Sequence, residues 1–89
     1  MTVHIKGTFD TGEVWVNGYK LDPSKSQEII NHSPDGFAWG YGGSGPSQLA
    51  LSILLEFYPP DIAKTNYQQF KKDHIVTLPR TDFETTIEL

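Results

Sequence analysis

Eighty-nine residues supply one small hydrophobic core and no material for a second, so the chain is expected to form a single domain over residues 1–89. The absence of cysteine excludes disulfides, thiolate catalysis and zinc centres of the cysteine type. A net charge of -4, with no run of like charges, opposes nucleic-acid binding through a basic face, and no apolar run approaches the length of a membrane span. A soluble, cytoplasmic protein is expected.

The chain opens with Val3, Ile5 and Phe9 among polar residues, a period of two that predicts a strand over roughly 2–9. Glu13–Val16 and Tyr19–Leu21 flank Asn17-Gly18, the dipeptide best suited to the positive φ angles of a two-residue hairpin turn. In residues 22–36 two readings compete. Asp22-Pro23-Ser24 suits a helix start, whereas Ile29-Ile30 suits an edge strand, and the extended reading is adopted. Ser33-Pro34-Asp35-Gly36 predicts a turn, after which Phe37–Tyr41 resumes an apolar alternation expected to be a strand.

Four of the eight glycines then fall within Gly40–Pro46, directly before a helix predicted over 46–57. Ala50, Ile53, Leu54 and Phe57 make one face of it, and Leu49, Leu51 and Leu55 extend the apolar surface around most of its circumference. Such a helix should be buried on several sides. Pro59-Pro60 ends it and starts a second, amphipathic helix with Ala63, Tyr67, Phe70, His74 and Leu78 on one stripe, stopped by Pro79. Phe83, Thr85 and Ile87 then alternate with polar residues as a last strand. Strand patterns at both ends of one contiguous helix pair predict an α+β fold, an antiparallel sheet of four to five strands with two helices packed on one face.

The run Asn31-His32-Ser33-Pro34-Asp35-Gly36-Phe37-Ala38-Trp39-Gly40-Tyr41-Gly42-Gly43-Ser44-Gly45-Pro46-Ser47-Gln48-Leu49-Ala50-Leu51, followed by Tyr67–Lys71 and Leu78-Pro79, resembles a family of small prokaryotic and phage proteins known only as a domain of unknown function. The resemblance spans about residues 31–89 and is much weaker over the first thirty. It implies an accessory protein of bacterial, archaeal or viral origin, and brings no activity, cofactor or catalytic residue with it.

Gly40, Gly42 and Gly45 satisfy G-x-G-x-x-G before a helix, yet a dinucleotide fold also needs a parallel strand after that helix, and here another helix follows. The phosphate loop of ATPases needs a lysine that Gly45-Pro46-Ser47 lacks, and Pro46 stands where a nucleophile elbow around Ser44 needs glycine. What survives is a generic anion cradle at a helix N-terminus, formed by Gly42, Gly43, Ser44, Gly45 and Ser47, with Trp39 and Tyr41 beside it for a planar group. The competing reading makes the same glycines a tight turn and the aromatics core.

His32 with Asp35 has the residue types of a base and its orienter, but a histidine before Ser-Pro more commonly ties a turn, so no catalytic residue is assigned. His4, His32 and His74 lie far apart, which predicts no metal site. On its apolar stripe His74 is expected to be a packed histidine with one ring nitrogen satisfied. No cofactor and no enzymatic activity are expected. Two functions remain open: a non-enzymatic binder of a small phosphate- or nucleotide-like anion, and a phage or mobile-element protein that inhibits a host protein through exposed aromatics such as Trp15 and Tyr19, its glycine loop purely structural.

Overall fold

Asn17 and Gly18 adopt φ angles of 50° and 83°, and this turn joins strands β2 (Glu13–Val16) and β3 (Tyr19–Lys20). Asn17 does a second job. Its Oδ1 accepts from the His4 amide at 2.9 Å while its own amide donates to the His4 carbonyl at 2.8 Å, which stitches the turn to β1 (Thr2–Thr8). The computed structural model describes residues 1–89. It is α+β, with a four-stranded antiparallel sheet in the order β3-β2-β1-β4, where β4 is Phe83–Glu88. Pairing of Val3 with Ile87, Ile5 with Thr85 and Gly7 with Phe83 sets every second residue of β1 and β4 on a common face.

Period-two burial follows from that register. Val3, Ile5, Val14, Val16, Phe83 and Ile87 are buried in one apolar cluster with Leu49, Ile53, Ala63, Tyr67, Phe70 and Ile75, whereas Lys6, Glu84, Thr86 and Glu88 are exposed. Gly7 permits the tightest spot, since a Cβ there would meet the rings of Phe83 and Trp39. Gly7→Ala is therefore expected to cost about 1–3 kcal/mol by overpacking, read as a lowered urea midpoint at unchanged slope. An unchanged midpoint would show that the two rings yield freely.

Three helices are present where two were expected. Residues 22–36, read from sequence as extended, contain the helix α1 (Pro23–Ile29), because local capping chemistry outweighs the strand preference of Ile29-Ile30. Asp22 Oδ1 accepts from the Ser24 amide at 3.0 Å and from the Ser24 hydroxyl at 2.8 Å, bonds that also hold the Asp22 carboxyl below its usual pKa, and Pro23 follows as the first helical residue. The helix stops at Ile30, whose backbone returns to the β region.

The expected strand at Phe37–Tyr41 is also absent. Gly36 and Gly40 take φ angles of 107° and 83°, and the Gly40 amide bonds the Ile75 carbonyl in place of a neighbouring strand. Helix α2 (Ser44–Leu55) starts two residues before the predicted boundary, with Gly43 as its cap, and every residue from Gly45 to Leu54 is buried. After Pro59, helix α3 (Pro60–Phe70) continues into one π-helical turn, Lys71–Ile75.

Candidate functional site

Positive φ at Gly40 lays the glycine loop against the segment that follows the π turn. A Cβ at residue 40 would meet Arg80 Cγ at 2.6 Å and the Leu78 carbonyl at 3.0 Å, so only glycine allows this approach. One consequence is the position of Arg80, whose guanidinium carbon sits 5.3 Å from the centroid of the Tyr41 ring. The same ring lies against Gly43, where a Cβ would also collide with it. Gly45 is fitted to Ala38 in like manner.

The first turn of α2 carries both satisfied and free groups. Ser47 is buried, donates its hydroxyl to the Gly43 carbonyl at 3.1 Å and accepts from Lys71 Nζ at 3.1 Å. Its amide closes on Gly43 at 3.1 Å. The amides of Ser44 and Gly45 have no protein acceptor, Pro46 has no N–H, and no side chain caps the helix. Ser44 is exposed. No acidic residue occupies this turn, and neither Lys71 nor Arg80 meets a carboxylate; such contacts occur between Met1 and Glu88, Lys20 and Glu13, and the His4 ring and Glu84. Hydrogen bonds from Lys20 and Thr11 lower the Glu13 carboxyl, and bonds from Thr2 and the N-terminal ammonium lower that of Glu88, all at a distance in sequence from the loop.

Of the residues singled out from sequence, Gly42, Gly43, Ser44, Gly45 and Ser47 are gathered at this helix start, whereas Trp39 belongs to the core. It is 1% exposed, donates Nε1–H to the Thr81 carbonyl at 3.0 Å, and meets Phe83 edge-on at 4.9 Å between ring centroids, which leaves no ring face for a ligand. Tyr41 is 41% exposed, with the Arg80 guanidinium over its ring. His32 and Asp35 are not brought together as a pair. The His32 ring reaches α3, with Nε2 2.7 Å from the Tyr67 hydroxyl, while Asp35 is exposed and makes no hydrogen bond.

Sequence reasoning missed Lys71, Arg80 and Gln48. The first two lie 24 and 33 positions after Ser47, and no spacing rule links a helix start to a cation on a later helix. No residue of 39–47 lines any of the three surface grooves, the largest of which, about 380 Å³, runs along α3. No cluster of metal-ligating side chains occurs, and no helix is long and apolar enough to cross a membrane.

The chain belongs to a family of unknown function, DUF6166, whose model matches residues 5–88. That match begins at Ile5, within β1, and takes in the hairpin, so the family extends N-terminally beyond residues 31–89. No curated protein and no solved structure matches the chain.

Proposed function

We propose that this member of the family is a non-enzymatic binder of a small oxyanion, a phosphate or phosphate-like group, at the start of α2. The observation that carries the reading is Lys71, a cation without a carboxylate partner that donates to Ser47 in the first turn of α2, at a helix N-terminus that has two free amides and no acidic residue; a second unpaired cation, Arg80, sits over the ring of Tyr41, which packs on Gly43. A helix N-terminus bears about half a positive charge, so cations are ordinarily disfavoured there. Lys71 at that end, with Arg80 on the adjoining loop, in a chain of net charge -4, leaves a local positive field that an anion would relieve. A nucleoside is not part of this reading: Trp39 is buried, and the Arg80 guanidinium already lies over the Tyr41 ring.

Ser44→Ala removes an exposed hydroxyl and leaves the backbone in place, so phosphate affinity is expected to fall by about 0.5–1.5 kcal/mol with the melting temperature unchanged. Lys71→Gln, which deletes the charge but retains a donor for Ser47, is expected to weaken phosphate binding by more than Ser44→Ala does. Calorimetric titration with inorganic phosphate at constant ionic strength measures both. Equal affinities for parent and Lys71→Gln would defeat the assignment.

The interaction reading has one observation of its own, the hairpin residue Tyr19, which is 80% exposed; the partly exposed Trp15 lies on the opposite face of the sheet, because Tyr19 pairs with Val16 and Trp15 with Lys20. Binding of a host protein there would leave the α2 site untouched. Under the oxyanion reading Tyr19→Ala binds phosphate as the parent does. A cytoplasmic setting and the absence of catalysis belong to the same proposal.

A further inference from the structure

The buried positions of α3, Ala63, Tyr67 and Phe70, are spaced by four and three, so an unbroken α-helix would send His74 into the core next. It is Ile75 that is fully buried, five residues after Phe70, and the Val76 amide bonds the Lys71 carbonyl at 2.9 Å, the i to i-5 bond of a π turn. The inserted residue leaves His74 half-buried at the surface, its ring tilted on Phe70 at 4.9 Å between centroids, with no hydrogen bond to either ring nitrogen. His74 now lines the groove of about 380 Å³. π turns recur at functional sites because they re-aim a side chain in this manner.

This groove changes character along its length. One wall is the face of α3 and its π turn formed by Ile62, Asn66, Gln69 and Asp73, at spacings of four, three and four; Leu54, Tyr58 and Leu89 line it elsewhere. Ile62 and Tyr58 supply apolar surface, whereas Gln69, Asp73 and His74 bring polar groups together beside Phe70 at the π turn, about 15 Å along the helix from Ile62. There Gln69 Nε2 donates to Asp73 Oδ1 at 2.9 Å and holds the carboxylate in place. Among the nine lining side chains Asp73 alone is an acid, no lysine or arginine joins it, and it makes no ion pair. A ligand that fills this shape must offer an apolar body to Leu54, Tyr58, Ile62 and Phe70 and a positive hydrogen-bond donor to Asp73.

We propose that the groove between α3 and the end of the chain binds a small amphipathic amine, its ammonium on the Asp73 carboxylate, His74 beside it and its apolar body along Tyr58 and Ile62. The site is separate from the α2 start and does not depend on the oxyanion reading. Phenylbutylamine is the probe, with phenylbutyrate as the charge-reversed control of equal apolar body. Backbone amide NMR spectra of the parent should show saturable shifts at residues 62–74 with the amine, at the millimolar affinity usual for so few atoms, and far smaller shifts with the carboxylate. Asp73→Asn, a change on an exposed side chain, should weaken the amine about tenfold with an unchanged melting curve, and Lys71→Gln should leave amine binding as in the parent. Absence of saturable shifts, equal response to amine and carboxylate, or equal amine affinity in parent and Asp73→Asn would each overturn the proposal.

Discussion

Gln48→Leu is expected to destabilise the fold by about 4 kcal/mol or more, a large part of the roughly 4–13 kcal/mol that a chain of this size possesses. Gln48 is fully buried on α2, and its amide is completely used. Its Oε1 accepts from the backbone amides of His32 at 2.7 Å and Ser33 at 3.0 Å, while Nε2 donates to the Ser26 hydroxyl at 2.8 Å and the Ile30 carbonyl at 3.0 Å. Leucine matches the side chain in volume but leaves two backbone donors and one backbone acceptor without partners, each costing about 1–3 kcal/mol if it stays buried. Gln48→Glu keeps both acceptor positions and loses both donations, and it places a carboxylate in the core, so it is expected to be no better tolerated at neutral pH. Urea melts measure the loss, and amide exchange at His32 and Ser33 locates it. If those two amides exchange no faster in Gln48→Leu than the parent's, the clamp is not what holds the loop after α1.

Trp39→Ala should cost about 3–5 kcal/mol, the range for truncating a buried large aromatic, because the indole joins the loop to the sheet. It packs edge-on against Phe9 at 5.9 Å and Phe83 at 4.9 Å between centroids, and Gly7 on β1 leaves it room. Truncation also strands the Thr81 carbonyl. Trp39→Phe should lose less, since most of the ring volume stays, and should bind phosphate as the parent does because the indole is not in the site. Denaturation of both variants, with a phosphate titration of Trp39→Phe, checks the two statements together. A Trp39→Phe protein that folds with a parent-like melt yet no longer binds phosphate would return the indole to the ligand.

The elements legible in the sequence are those written in local chemistry. Asn17-Gly18 names its own turn, the alternations of Val3-Ile5 and Phe83-Ile87 name two strands, and the dense apolar content from Leu49 to Leu55 names a buried helix. At α1 the sequence supports two readings, because the Asp22 cap and the β-branched pair Ile29-Ile30 pull in opposite directions; the cap prevails, and Ser26 and Ile30 bonding Gln48, 22 and 18 residues later, adds support that no local pattern shows. The alternation in Phe37–Tyr41 is real as a burial signal for Trp39, but two glycines at positive φ bend the backbone out of any ladder. The π turn has no local signature at all: His74 and Ile75 are both acceptable on the stripe, and only packing decides that Ile75 takes it. For the candidate site, the glycines and serines were visible as a string, whereas Lys71 and Arg80 reach it only through the fold.

The start of α2, with Lys71 on Ser47, is proposed to hold a small oxyanion. Amide NMR of residues 42–48 during titration with inorganic phosphate, with chloride at matched ionic strength as the control, tests it most directly. Saturable movement of the Ser44 and Gly45 signals with phosphate and not with chloride, diminished in Lys71→Gln, is the predicted result. Signals from 42 to 48 that stay in place up to millimolar phosphate would contradict it and leave the glycine loop as a structural turn.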